Sequence, residues 1–336
     1  MTIQEALTWA QEELARAQYD LSFRSDPGSP AIGLRCRGGE AEESAFSNAS
    51  AETDSGCPIL RSFTAKGGSE NADQTIALDA RTLLQHALKK NQSWLHAHSN
   101  ETLDEPILSI YNSFIERRKQ HEPIQYITGE QEFYGIPIRV TPAVLIPRPE
   151  TEHLVEEALL ILEKLPAGTR LLDIGTGSGA IVIPIALSSP ATRITAVDIS
   201  QDALQVAQAN LAAHNLTHRI RLLQSDLFSE IAGEEFEIIL SNPPYVAEAD
   251  RKLLAEQVRN YEPQQALFAG ADGLDIYRKL IPASAAALST GGYLLLEIGA
   301  GQSDAIRNLF EQSNLTNIRF VVDLQQIPRV AIAQKQ

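Results

Sequence analysis

From Arg170 to the C-terminus the chain alternates short apolar strands with amphipathic helices. The run begins "RLLDI", a glycine loop and "AIVIPIALSS", then "RITAVDI", "SQDALQVAQANLAAHN", "IRLLQSD" and "FEIILSN". Helical stretches near 250–260 and 274–289, strand "GYLLLEIG", helix "SDAIRNLFEQS" and strands "IRFVVDL" and "RVAIAQ" close it. Strands that recur with a helix between them pair in parallel. The pattern therefore predicts a doubly wound α/β sheet with helices on both faces. With 336 residues and 43% hydrophobic content, the chain can fill that core and still hold a second domain.

The N-terminal part reads differently. Residues 2–20 carry Ile3, Ala6, Leu7, Ala10, Leu14 and Ala17 at helical spacing. From 22 to 74 the chain is dense in Ser, Gly, Ala and Glu without periodicity, which predicts a disordered insertion; a small module around "CPILRSF" is the alternative. Helical periodicity returns at Thr75 with Ile76, Leu78, Ala80, Leu83, Leu84 and Leu88, then in "SWLHAHSNETL" and "PILSIYNSFIERRKQH". Residues 1–122 are thus expected to form a small helical domain. "PIQYITGEQEFYGIPIRVT" is rich in β-formers and punctuated by Gly129 and Gly135, so 123–145 reads as a β-hairpin linker. Domain three spans 146–336, and "IPRPETEHLVEEALL" opens it with a helix that Thr151 is placed to cap.

Charge and cysteine content narrow the function classes. Net charge is −15, which argues against a nucleic-acid groove, where a basic face replaces counterions. No apolar run approaches the ~20 residues of a membrane span, and the acidic N-terminus lacks the features of a secretory signal. Cys36 and Cys57 both fall in the 22–74 stretch, so neither a disulfide framework nor a zinc site is expected, in keeping with a cytoplasmic location. No metal is expected.

"LLDIGTGSGA" places Gly175, Thr176, Gly177, Ser178 and Gly179 between a strand and a helix, where glycines allow a tight turn and close approach to a ligand. Asp198 ends the next strand, at the offset where a carboxylate accepts from ribose hydroxyls. These features bind a nucleoside, and the loop alone leaves a nicotinamide dehydrogenase open. Two further acids favour S-adenosyl-L-methionine. Asp173 completes a D-x-G-x-G-x-G pattern and can order the loop or accept from the ligand's amino group. Asp226 in "QSDLF" stands where it could accept from an adenine amino group, with Leu227 against the ring, or where it simply ends the strand.

The strand "FEIILS" then ends in Asn242, Pro243, Pro244 and Tyr245. Prolines cannot continue a ladder, and the residue before one is held extended, so Asn242 is fixed at the carboxyl edge of the sheet. This pattern after a D-x-G-x-G-x-G loop is similar to that of enzymes that methylate planar NH2 nitrogens. Such a nitrogen is a poor nucleophile because its lone pair is delocalised. The Asn242 side-chain oxygen and the Pro243 carbonyl can each accept one of its N–H groups, and Tyr245 can stack on the planar group. Catalysis would then be positioning plus electrostatics.

Residues 123–151, "DIGTGSGAI", "AVDIS", "QSDLF", "SNPPYV" and "GADGLDIYRKLI" together resemble the peptide chain release factor N5-glutamine methyltransferase family. The resemblance covers nearly all of 75–336 and the first helix. It implies a class I methyltransferase fold, a seven-stranded doubly wound sheet, with S-adenosyl-L-methionine as cofactor. It further implies methyl transfer to the glutamine of the Gly-Gly-Gln motif in class-1 release factors, held partly by the N-terminal domain and hairpin. Carried over, Gly175 to Gly179 contact the methionine part, Asp198 the ribose and Leu227 the adenine. Asn242 to Tyr245 hold the glutamine, and 146–151 border the cofactor pocket. Two departures stand out: the extra stretch at 22–74, and Leu227 where some relatives have a large aromatic. A glutamine methyltransferase for a ribosomal protein shares Asn-Pro-Pro-Tyr, as does a DNA adenine N6-methyltransferase, which would also want a basic groove.

Overall fold

The computed structural model describes residues 1–24 and 69–336. Most of the stretch expected to be a disordered insertion, including both cysteines, lies outside the described residues. Its edges do not: α1 (Ile3–Arg24) and α2 (Ser69–Leu88) both extend into the 22–74 range. Local sequence accounts for this, since Pro27 after α1 and the Gly67-Gly68 pair before α2 are the nearest helix breakers.

The described residues fall into two compact units, 1–24 with 69–119, and 120–336. In the smaller, α1 and α2 pack with α3 (Gln92–Ala97) and α4 (Glu105–Lys119). Ile3, Ala6, Ala10 and Leu14 of α1 are buried with Ile76, Ala80, Leu83 and Leu84 of α2 and Tyr111 and Ile115 of α4. The Tyr111 hydroxyl is satisfied by donating to the Ala80 carbonyl (2.9 Å). Leu78 does not join this core. It is 58% exposed because it falls between the 76–80–83 positions of the stripe.

The larger unit begins with α5 (Ile124–Thr128), where the sequence had suggested only strand. Pro123 starts this turn and Gly129, at φ 78°, ends it in a left-handed cap, so Tyr126 and Ile127 are buried from a helix. The hairpin proper is β1 (Glu130–Phe133) and β2 (Ile136–Arg139), joined through Tyr134 and Gly135, both at positive φ as a tight hairpin turn requires.

Helix α6 (Glu152–Leu162) leads into the sheet. Its elements are β3 (Arg170–Ile174), α7 (Val182–Ser188), β4 (Arg193–Asp198), α8 (Gln201–Ala213), β5 (Ile220–Gln224) and β6 (Phe236–Ser241). They continue with α9 (Glu256–Tyr261), α10 (Asp275–Ala287), β7 (Leu288–Glu297), α11 (Ser303–Gln312), β8 (Leu315–Val322) and β9 (Pro328–Lys335). The seven strands lie in the order β5-β4-β3-β6-β7-β9-β8. All neighbours pair in parallel except β9, which runs antiparallel to both β7 and β8. Strands buried on both faces read as continuous apolar runs: Leu171, Leu172, Ile238, Ile239, Leu240, Leu294 and Leu295 have no exposed surface. Chain order reverses at β3, between β4 and β6. The crevice at such a switch point, beyond the carboxyl ends of the strands, is where α/β sheets bind ligands.

Candidate active site

Strand register brings the predicted residues together at that crevice. Ile174 pairs with Val197 on one side and Ser241 on the other, so Gly175, Asp198 and Asn242 leave the sheet side by side. The Ser241 hydroxyl donates to the Ile174 carbonyl (2.7 Å), tying β6 to the last residue before the glycine loop. A cavity of ≈ 400 Å³ opens there. Gly175, Thr176, Gly177, Ser178, Asp198, Asp226, Leu227, Asn242, Pro243 and Pro244 all line it.

The glycine loop needs its glycines for their backbone. Gly175, Gly177 and Gly179 sit at φ 75°, 55° and 82°, a region costly for other residues, while a side chain would meet no severe clash at any of them. Amides of Gly175 and Thr176 donate to the Val197 carbonyl (2.9 and 3.0 Å), which holds the loop over β4. The Asp198 carboxylate accepts from the amides of Gly177 (2.8 Å) and Ser200 (2.9 Å). Burial raises its pKa and these backbone bonds oppose the rise. Each oxygen can accept a further hydrogen bond, and Asp198 lines the cavity. Leu227 is held at φ 51°, unusual for leucine, and the Ser225 hydroxyl donates to its carbonyl (2.9 Å) to pin the turn.

Three predicted residues sit elsewhere than expected. Gly179 is absent from the cavity wall and faces Ile183 and Ala207 instead. Asp173 does not line the cavity. It is wholly buried beneath the loop, and neither carboxylate oxygen has a hydrogen-bond partner among the described residues. Burial pushes its pKa up to about 7, the nearby Thr176 hydroxyl offsets this only partly, and the Asp198 charge adds to it. Thr176, which does reach the cavity, also has a buried hydroxyl with no partner there. Unpartnered buried polar groups are rare in a finished core; of these two only Thr176 faces the cavity, so a polar ligand group there would meet its hydroxyl and act on the Asp173 carboxylate from a distance. Tyr245, expected to stack on substrate, is absent from the cavity wall. Its ring is buried and its hydroxyl donates to Glu297 (3.3 Å), because the chain turns after Pro244 and carries it into the core.

Three residues hold the Asn-Pro-Pro-Tyr loop: Thr151, which lines the cavity as expected, and Glu297 and Gln302, which the sequence did not single out. Glu297, at the end of β7, accepts from Tyr245 and from the Thr151 hydroxyl (2.6 Å). Thr151 in turn accepts from the Asn242 amide nitrogen (3.1 Å). Thr151 therefore does not cap α6: it ends a 3-10 turn over Pro149–Thr151, and its hydroxyl makes no cap bond. Burial raises the Glu297 pKa to about 7 against the pull of the Thr151 hydroxyl. Gln302 donates to the carbonyls of Tyr245 (3.1 Å) and Gly273 (3.3 Å), fastening the "GADGLDIYRKLI" segment to the loop. Ile276 and Leu280 of that segment line the apolar side of the cavity.

Comparison with known proteins bears on what this site serves. Residues 68–129 match the PrmC N-terminal domain, and 153–265 match the methyltransferase small domain. The chain is 43% identical over 261 residues to the release factor glutamine methyltransferase of Koribacter versatilis, spanning 77% of this chain and 91% of that protein. It is 39% identical over 263 residues to the release factor glutamine methyltransferase of Escherichia coli K12, spanning 78% and 94%. The chain belongs to the release factor glutamine methyltransferase family. As a member of that family it is an S-adenosyl-L-methionine-dependent methyltransferase, and the sheet order found here is the seven-stranded class I arrangement expected of one. Among the described residues, no helix of this release factor glutamine methyltransferase family member is long and apolar enough to cross a membrane, and no acid or histidine cluster is placed to hold a metal.

Proposed function

We propose that this chain methylates the side-chain amide nitrogen of the glutamine in the Gly-Gly-Gln motif of class-1 peptide chain release factors. The observation that carries the reading is the Asn242 amide. Its nitrogen is engaged by Thr151, which leaves its oxygen free to accept, and Asn242 lines the cavity with the glycine loop. The names of the relatives favour a release factor over a ribosomal protein, and the net charge of −15 counts against DNA.

The bound cofactor supplies an electrophilic methyl on a sulfonium. The protein's work is to hold the acceptor. Asn242 Oδ1 and the Pro243 carbonyl accept the two N–H groups of the glutamine amide, which fixes its nitrogen in line with the methyl and shifts electron density onto it. On accepting the methyl, the glutamine amide would give up one of those N–H protons to solvent. On the cofactor side, Asp198 takes the ribose hydroxyls, Leu227 packs on the adenine, and Asp226 accepts from its amino group. The loop from Gly175 to Gly179, with Asp173 beneath, receives the methionine portion. Helices α1 to α4 contribute to holding the release factor, and the hairpin does so separately.

Single-turnover methylation of a purified release factor at saturating cofactor tests this. Asn242→Ala is expected to bind S-adenosyl-L-methionine nearly normally and to lose about a hundredfold or more in rate, ~2.7 kcal/mol of barrier. Asn242→Asp, which still accepts a hydrogen bond, should retain more. A variant that loses only cofactor affinity would make Asn242 a cofactor ligand. Label entering DNA or a ribosomal protein in place of the release factor would overturn the substrate.

A further inference from the structure

We propose that Thr151 and Glu297 are positioning residues that decide which end of the Asn242 amide faces the substrate. The inference rests on Asn242 being the substrate clamp. An asparagine amide is nearly symmetric in shape, and turning it over swaps an acceptor for two donors. With the oxygen inward it accepts an N–H of the incoming amide. With the nitrogen inward, donor faces donor and the substrate is repelled. Something must break the symmetry, and side-chain packing does not distinguish the two ends.

A chain of three groups does so. Thr151 has one hydroxyl proton, and Glu297 Oε2 lies 2.6 Å from it, a separation typical of a hydroxyl donating to a carboxylate. An ionised carboxylate can only accept, so the Thr151 proton points at Glu297. What remains at Thr151 Oγ1 is lone pair, and the group facing it, 3.1 Å away, must be a donor: Asn242 Nδ2. If the amide were turned over, two acceptors would meet. The second carboxylate oxygen is held by the Tyr245 hydroxyl (3.3 Å), and the Glu297 backbone carbonyl by the Tyr277 hydroxyl (2.7 Å), so the carboxylate is itself fixed in rotation. The first and last residues of Asn-Pro-Pro-Tyr are thus referred to one buried carboxylate, one directly and one through Thr151. This use of the Thr151 hydroxyl also accounts for its not capping α6.

The test is a set of single-turnover rates with a purified class-1 release factor and labelled S-adenosyl-L-methionine, at pH 8.5, where Glu297 is ionised. Thr151→Val keeps the shape and removes the hydroxyl. It is expected to slow methyl transfer at saturating cofactor by about tenfold or more, and the lost bond to buried Glu297 should also lower the melting temperature by a few degrees. Thr151→Ser should restore most of the rate. In an Asn242→Ala background, Thr151→Val should add no further loss, because the group it orients is gone. A Thr151→Val enzyme as fast as the parent, or equal losses in both backgrounds, would overturn the positioning role while leaving the clamp standing. If Asn242→Ala itself were as fast as the parent, the clamp would fall and this role with it.

Discussion

The buried Asp173 carboxylate, unpartnered beneath the glycine loop, has opposite consequences with and without cofactor. Its folded pKa of about 7 lies above the ordinary 3.8, so the folded protein binds this proton more tightly than the unfolded chain. The cost of ionising it is therefore fully present above pH 7 and vanishes as pH falls below about 4. In cofactor-free protein, Asp173→Asn should raise the melting temperature relative to the parent at pH 8, at ~2–4 °C per kcal/mol, and the advantage should disappear near pH 4. Cofactor binding should show the reverse. A cationic amino group nearby favours the ionised carboxylate, so affinity should rise with pH through 7, with proton release measurable by calorimetry in buffers of different ionisation enthalpy. The variant should lose both the affinity and the proton release. Asp198 makes a simpler case: Asp198→Ala removes an ionised acceptor for the ribose hydroxyls and should weaken binding by roughly 1.5–3 kcal/mol by calorimetry. Unchanged affinity there would remove Asp198 from the site.

At the level of elements, Asn210 of α8 joins parts of the chain that no local pattern connects. Fully buried, it accepts from the Arg139 amide (2.8 Å) and donates to the carbonyls of Arg139 (3.0 Å) and Ser178 (2.8 Å). One amide thereby fastens the hairpin strand β2 to the glycine loop. Asn210→Asp keeps the acceptor but loses both donors and buries a charge. It should destabilise at least as much as Asn210→Ala, by about 2 kcal/mol or more in urea denaturation. A neutral result for either variant would mean that the hairpin and loop are held by packing alone. The contrast with what could be read beforehand is instructive. Strands β3, β4, β6, β7 and β9 were legible because each buries a continuous apolar run, the helices because of their 3.6-residue stripes, and the edge strands β5 and β8 from their β-forming residues, since each buries only its first residue. Gly175 and Asn242 were legible because each directly follows a strand, and Asp198 because it ends one. Helix α5 was not, since Tyr126 and Ile127 favour strand locally and only Pro123 and Gly129 enclose the turn. Nor was the Thr151 bond to Glu297, whose partners are 146 residues apart and meet only once β7 lies beside β6.

Over the whole molecule, the relatives are covered to 91% and 94% of their length by only 77% and 78% of this chain. Replacing 25–68 by a short glycine-serine bridge, with α1 and α2 kept intact, should therefore leave methyl transfer within a fewfold of the parent. A large fall in turnover or melting temperature would assign that stretch a structural part. The same long-range wiring reaches Gly273, which has φ 75° and lies in the loop before α10. A Cβ built there would stand 2.3 Å from the Tyr245 carbonyl oxygen and 3.0 Å from Gln302 Nε2, and neither is free to retreat because each is hydrogen-bonded to the other. Gly273→Ala would push Tyr245, and with it the turn that follows Asn242. In a growth-based scan of every single substitution, this position should tolerate as little as the residues that meet the methyl group. Mutational intolerance would then map the tether of the active site as well as its walls.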